Sequence, residues 1–183
     1  MVLPETTGAL VYRMRPAALS DRGRIEELAT RRFAWMKRTG HEPWPQTAEL
    51  IASRAGDGVA PMWVITGADD VARGCTIVLD TLGRAVFTDE ECAEESLVLV
   101  STLTDPASTG EGLGSRIAWW AVDRAGREGK AWVRRVTSED GLVRYYKSQG
   151  FDVVRVREFQ GRPVVGMQRR AQLLGPMERL TAE

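Results

Sequence analysis

The sequence predicts a mixed α/β domain, and three patterns carry that expectation. A branched apolar run, Leu97-Val98-Leu99-Val100, leads through a glycine-rich turn into a segment of helical periodicity. Residues 62–67 with 71–80, and 151–157 with 162–168, read as two hairpins. Near the N-terminus, Ile25, Leu28, Ala29, Phe33 and Met36 recur on one helical face.

Taken in order, residues 10–15 alternate apolar and polar, as a half-buried strand does. Ser20 is placed to cap the first helix. Thr39-Gly40-His41-Glu42-Pro43-Trp44-Pro45 reads as a loop, and Thr47 as the start of a short second helix. The first hairpin turns across Ala68-Asp69-Asp70, and residues 81–95 form a polar connection to the central strand. After the glycine turn, Leu113, Ile117, Trp120, Ala121 and Ala125 share one helical face. A strand at 131–137 follows, then a short helix with Leu142, Tyr145 and Tyr146 at i, i+3, i+4. Gly150 stops that helix, and the last hairpin turns near Gln160-Gly161. One domain is expected over 1–170. Residues 171–183 read as an appended tail with a helical turn or two before Gly175-Pro176.

Composition excludes several function classes. The 183 residues hold 25 Lys and Arg against 25 Asp and Glu, which argues against a polyanion such as nucleic acid held by a global positive field. The pairs Arg31-Arg32, Arg134-Arg135 and Arg169-Arg170 read as solvated surface. No apolar run approaches the ~20 residues of a membrane span. The first residues carry no basic or apolar leader pattern, so a cytoplasmic protein is expected, monomeric or homodimeric. Cys75 and Cys92 are too few for a disulfide framework, and Cys75 reads as a small core residue. With one histidine, His41, and no Cys-x-x-Cys, no metal site is expected. His41 itself reads as a loop residue, without a Gly-x-Ser-x-Gly elbow to serve.

Residues 103–115, Leu-Thr-Asp-Pro-Ala-Ser-Thr-Gly-Glu-Gly-Leu-Gly-Ser, carry the strongest functional signal. Gly110, Gly112 and Gly114 let backbone N–H groups converge with no Cβ in the way. The helix behind them adds unpaired donors and a partial positive charge. Such a turn suits a phosphate or pyrophosphate. No Gly-Lys-Ser/Thr ends it, and its spacing is Gly-x-Gly-x-Gly rather than the dinucleotide Gly-x-Gly-x-x-Gly.

A second segment runs Glu139-Asp-Gly-Leu-Val-Arg-Tyr-Tyr-Lys-Ser-Gln-Gly-Phe151. Together the two segments resemble the GNAT superfamily of acyl-CoA-dependent N-acyltransferases. Thr104 to Gly114 matches, without a gap, that family's Val-x-Pro-x-Tyr-Arg/Gln-Gly-x-Gly-Ile/Leu-Gly. Tyr146-Lys-Ser-Gln-Gly-Phe151 is similar to its Tyr-x-Lys-x-Gly-Phe, with the lysine one place early. The opening Tyr12-Arg-Met-Arg-Pro-Ala17, then Ser20-Asp21, is similar to its first strand and helix. The resemblance implies a mixed sheet of about six or seven strands, flanked by about four helices, with central strands that splay.

It also implies acetyl-CoA as co-substrate and transfer of the acetyl group to a primary amine, by direct attack within a ternary complex. A small-molecule acceptor is expected. By position, Leu103, Thr104 and Asp105 would meet the pantetheine arm and acyl oxygen, and the amides of Thr109, Gly110, Glu111, Gly112, Leu113, Gly114 and Ser115 the pyrophosphate. Glu139 and Tyr146 complete the implied cofactor site. Thr109 stands where the family carries Arg or Gln, and Glu139 where many members carry Asn, so backbone contacts dominate the expectation there.

Acyl transfer needs a polarised carbonyl, a deprotonated amine and a protonated or stabilised leaving thiolate. Tyr146 is the implied acid toward the thiolate, with simple packing beside Leu142 as its alternative and Tyr145 as rival for the role. For the base, Glu94 and Glu95 are within reach by sequence, yet both belong to the acidic run 89–95. That run reads either as solvated loop or as a lure for a cationic amine. The resemblance puts the acceptor pocket at 37–45 and 158–162, with Pro43 and Trp44 as walls unless Trp44 closes the core. The competing function is a non-catalytic acyl-CoA-binding module acting as a sensor or partner-binding domain.

Overall fold

A computed structural model of the protein describes residues 12–42, 44–59, 61–81 and 83–175. The expected strand start at Leu10 and Val11, Pro43, and the tail beyond Gly175 lie outside these residues. The strands are β1 (Arg13–Pro16), β2 (Met62–Thr66), β3 (Ala72–Leu79), β4 (Ser96–Thr104), β5 (Trp132–Thr137), β6 (Asp152–Phe159) and β7 (Arg162–Arg170). They form one sheet in the order β1-β2-β3-β4-β5-β7-β6. Only β4 and β5 pair in parallel; the other neighbours are antiparallel. The helices are α1 (Arg22–Arg38), α2 (Ala48–Ala52), α3 (Asp89–Ala93), α4 (Leu113–Arg127) and α5 (Asp140–Ser148).

Two apolar layers sandwich the sheet. Ile25, Leu28 and Ala29 of α1 and Ile51 of α2 pack with Val64, Cys75, Ile77 and Leu103. On the other face, Ala118, Ala121, Val122 and Ala125 of α4 pack with Leu97, Leu99, Val133 and Phe151. Cys75 is fully buried, as its sequence context predicts, and burial pushes its thiol up to about 12.

Strand β4 changes partners part-way along. Leu97 and Leu99 face α4, whereas Val100 and Leu103, three residues apart, both pack toward α1. A strict two-residue alternation forbids that, and a β-bulge permits it. The register against β3 slips between Cys75 and Ile77, opposite Ser101, whose φ of 51° is left-handed. β4 has already left β5 before the slip: the two pair only from Ser96–Trp132 to Val98–Arg134. The central strands therefore splay, as the motifs imply.

Three local expectations change. Ser20 does not cap α1; it lies in a 3-10 turn, Leu19–Asp21. The Asp21 carboxylate governs this entry, accepting from the Ala18 N–H at 2.8 Å and from Arg15 at 2.7 and 2.9 Å. Those Arg15 bonds hold its pKa below the usual range. The polar connection contains α3, started by a Thr88/Glu91 capping box. Residues 171–175 form no helical turn; Leu174 is buried, and its N–H donates to Asp123 on α4 at 2.9 Å.

Candidate active site

The turn between β4 and α4 is held from both sides. Asp105 accepts from the Ala107 N–H at 3.0 Å, capping a 3-10 turn at Pro106–Ser108, and receives Arg24 of α1 at 2.7 Å. Gly110 and Gly112 then take φ of 93° and 64°, where any residue with a Cβ is disfavoured. Gly112 is the N-cap of α4. The N–H groups of Gly110, Gly112, Leu113, Gly114 and Ser115 have no protein acceptor among the described residues. They form a concave donor surface at the positive end of a helix. A second acidic side chain of the turn, Glu111, accepts from the Tyr12 hydroxyl. Burial, reinforced by that bond, pushes Tyr12 up to about 12. Thr109 bonds back to the Pro106 carbonyl at 2.7 Å, so its hydroxyl completes the turn.

Where β4 and β5 part, a cleft of about 580 Å³ opens. Its floor is β4 from Leu99 to Leu103, and its far side is the end of β5 with Ser138 and Glu139, continued by Leu142 and Tyr146 of α5. Leu103 thus lines the cleft, whereas Thr104 and Asp105 do not, and the Asp105 N–H is bonded to the Arg73 carbonyl at 2.8 Å. The bulge at Ser101 moves the exposed β4 backbone toward 99–103, a shift that motif spacing does not encode. Glu139 reaches the cleft as N-cap of α5, without a side-chain cap bond of its own.

The two adjacent tyrosines serve different places. Tyr146 is nearly buried, packs on Phe151 and lies under the Arg135 guanidinium, 4.5 Å from the ring centroid. That cation–π contact steadies the ring, which lines the cleft. Tyr145 points instead at the start of α4. Its hydroxyl is 3.4 Å from Ser115 Oγ and would lie 2.6 Å from a Cβ at Gly114. Gly114 is therefore small because the tyrosine approaches it.

The opposite wall comes from α1, the 39–46 loop and the β6–β7 hairpin. Arg32 lies 4.3 Å over the Trp35 ring, and Trp35 stacks on His41 at 5.7 Å. Trp44 meets Phe33 edge-on at 6.2 Å, joining the cleft wall to the core. Glu42 and Arg162 pair at 2.7 Å and tie the loop to the hairpin. The Thr39 hydroxyl lies 2.9 Å from the Trp35 carbonyl and 3.0 Å from His41 Nδ1, so Thr39 engages that ring nitrogen.

Other sequence expectations move. Glu94 and Glu95 do not line the cleft: Glu94 pairs with buried Arg134, and Glu95 with Lys130 at 2.7 Å. The acidic run is structural. Glu91 receives Arg155 at 3.0 Å, and the Glu91 carbonyl takes a second bond from Arg134. Nor are the arginine pairs simply surface. Arg134 and Arg135 are buried on opposite faces of β5, Arg32 lines the cleft, and Arg169 stacks on Trp119 at 3.9 Å. Sequence reasoning put His41 inside the 37–45 pocket segment but read it as a plain loop residue, and it read Arg32 as surface; both line the cleft.

No family model and no curated relative matches the sequence. Solved structures do match. A GNAT-family acetyltransferase from Listeria monocytogenes is 19% identical with a TM-score of 0.72, covering 90% of this chain and 98% of its own. The spermidine N-acetyltransferase from Vibrio cholerae, in complex with CoA and spermine, is 16% identical with a TM-score of 0.62, covering 88% and 96%. The structure of yncA from Salmonella typhimurium with its cofactor acetyl-CoA is 19% identical with a TM-score of 0.58, covering 90% and 96%. Sheet order, splayed β4 and β5, and glycine turn together give this chain the fold of the GNAT-family acetyltransferases.

Proposed function

We propose that the protein is an N-acetyltransferase that moves the acetyl group of acetyl-CoA to the primary amine of a small molecule. One observation carries the reading: the unpaired amides at the start of α4 lie beside the splay of β4 and β5, where Tyr146 faces the cleft. The amides of Gly110, Gly112, Leu113, Gly114 and Ser115 suit the pyrophosphate, whereas those of Thr109 and Glu111, also expected there, are bonded to the Pro106 and Ser108 carbonyls; the β4 backbone at 99–103 suits the pantetheine arm. Structures of this fold with acetyl-CoA, or with CoA and spermine, support donor and acceptor class alike.

The thioester supplies an activated acyl carbon. The amine nitrogen bonds to that carbon, the C–S bond breaks, and the amine proton and the thiolate each need a partner. Tyr146 gives its phenolic proton to the departing sulfur and regains one from solvent. His41 takes the amine proton on Nε2, the nitrogen that Thr39 leaves free. Glu42, the neighbouring carboxylate, is engaged by Arg162.

CoA release measured over a panel of amines tests the reading. Turnover with any primary amine supports it. Acetyl-CoA binding without turnover on the whole panel would assign a binding module instead.

A further inference from the structure

Arg32 is an unmatched cation in the acceptor half of the cleft. It lies on α1 in the cleft wall, stacked on Trp35, and forms no ion pair among the described residues. The side chains that act on it electrostatically are Tyr145 and Tyr146, and no carboxylate is among them. Desolvation holds its pKa below the usual arginine range, and no carboxylate offsets the partial burial of its charge. The other cleft arginine, Arg162, already has Glu42 at 2.7 Å. Glu139, across the cleft, is a carboxylate with no ion pair of its own among the described residues.

Unpaired charges of both signs on opposite walls fit a ligand that carries both. We propose that the acceptor is an amine bearing an acidic group, a carboxylate or phosphonate, which Arg32 binds. The planar guanidinium offers paired donors to either anion, and stacking on Trp35 holds its fork in place. The amine end then lies toward the reacting carbon, while Trp35, Met36 and Trp44 give an apolar wall for the remainder. A polycation would bring further positive charge to Arg32, so the same geometry disfavours polyamines. This inference rests on the acetyltransferase reading and narrows its acceptor.

The test is a kinetic comparison by CoA release, using the standard amino acids, their carboxamides, 2-aminoethylphosphonate, and spermidine as a cationic control. The wild-type protein should prefer at least one acid over its own carboxamide by roughly 10- to 100-fold in kcat/KM, the value of a charge-assisted bond. Arg32→Gln should collapse that ratio through acceptor KM and leave the acetyl-CoA dissociation constant in place. Preference for 2-aminoethylphosphonate over the amino acids would name the phosphonate as the anion, and the reverse the carboxylate. Spermidine or the carboxamides outrunning every acid would overturn the inference and leave the transferase reading standing. So would Arg32→Gln lowering kcat equally for acids and carboxamides, because Arg32 would then act on the leaving sulfur. No turnover with any amine defeats the transferase reading itself.

Discussion

On the proposed donor side, at the start of α4, the site is made of backbone: the free N–H groups of Gly110 and of Gly112 to Ser115, in a turn where Gly110 and Gly112 take left-handed φ. The acceptor side is made of side chains, drawn from α1, the 39–46 loop and the β6–β7 hairpin. The difference teaches what each side can vary. A backbone cradle recognises an invariant group, and its demand on sequence is glycine at fixed spacing. A side-chain wall can be rewritten residue by residue, so it is where acceptor choice resides.

The sharpest way to break that contrast uses the two ends of α4. Gly112 and Gly129 both take left-handed φ, 64° and 71°, at opposite ends of the helix. Valine at either should cost roughly 1–3 kcal/mol of stability from backbone strain. Only Gly112→Val should also abolish the rise in Tm with acetyl-CoA, worth about 2.7 kcal/mol at a hundredfold excess over Kd. A full acetyl-CoA response in Gly112→Val would remove the cradle from the site. NADH and ATP serve as controls for the nucleotide.

Next in size is the tyrosine pair. Tyr146→Phe should lower kcat by roughly 10- to 1000-fold with acetyl-CoA affinity held. Tyr145→Phe should leave kcat close to wild type and change acetyl-CoA affinity a few-fold, because its hydroxyl sits at Ser115 and Gly114 (an estimate scaled to one neutral hydrogen bond). Equal kcat losses in both would return Tyr146 to a packing role. His41→Gln should lower kcat/KM for the acceptor by roughly 100-fold with acetyl-CoA affinity held, as loss of a base requires. An unchanged kcat/KM would hand the proton to solvent.

Legibility in the sequence follows the same division. The two hairpins, the stripe on α1, the α4 face and the Gly150 stop were readable because each depends on local periodicity or turn chemistry. The glycine cradle was readable for the same reason. Arg134 and Arg135 were not: an Arg-Arg pair looks solvated until it lies in a strand that puts one guanidinium under each layer. Glu94 and Glu95 misled likewise, since their partners Arg134 and Lys130 arrive from beyond α4. Ser101 carries no bulge signature, yet its left-handed φ decides which β4 residues face the cleft. Arg32, Trp35 and His41 meet the site only through tertiary packing of α1 across the splay.

The smallest effect tests how the acceptor wall is held together. Glu42 and Arg162 pair at 2.7 Å, but their side chains are 66% and 63% exposed. Such a pair contributes about 0–1 kcal/mol, screened by salt. It joins two elements that share no other ion pair among the described residues, the 39–46 loop and the β6–β7 turn. Its loss should therefore show in acceptor binding rather than in global stability. Arg162→Ala should raise acceptor KM about two- to five-fold at low ionic strength, the kinetic equivalent of that energy. The increase should fade as salt rises, with Tm and acetyl-CoA affinity unmoved. Glu42→Ala should match it, and the double variant should be no worse than either single one, since one contact is being removed twice. Additive losses would mean that the two side chains touch the acceptor separately. The loop and hairpin would then be independent walls rather than a joined one.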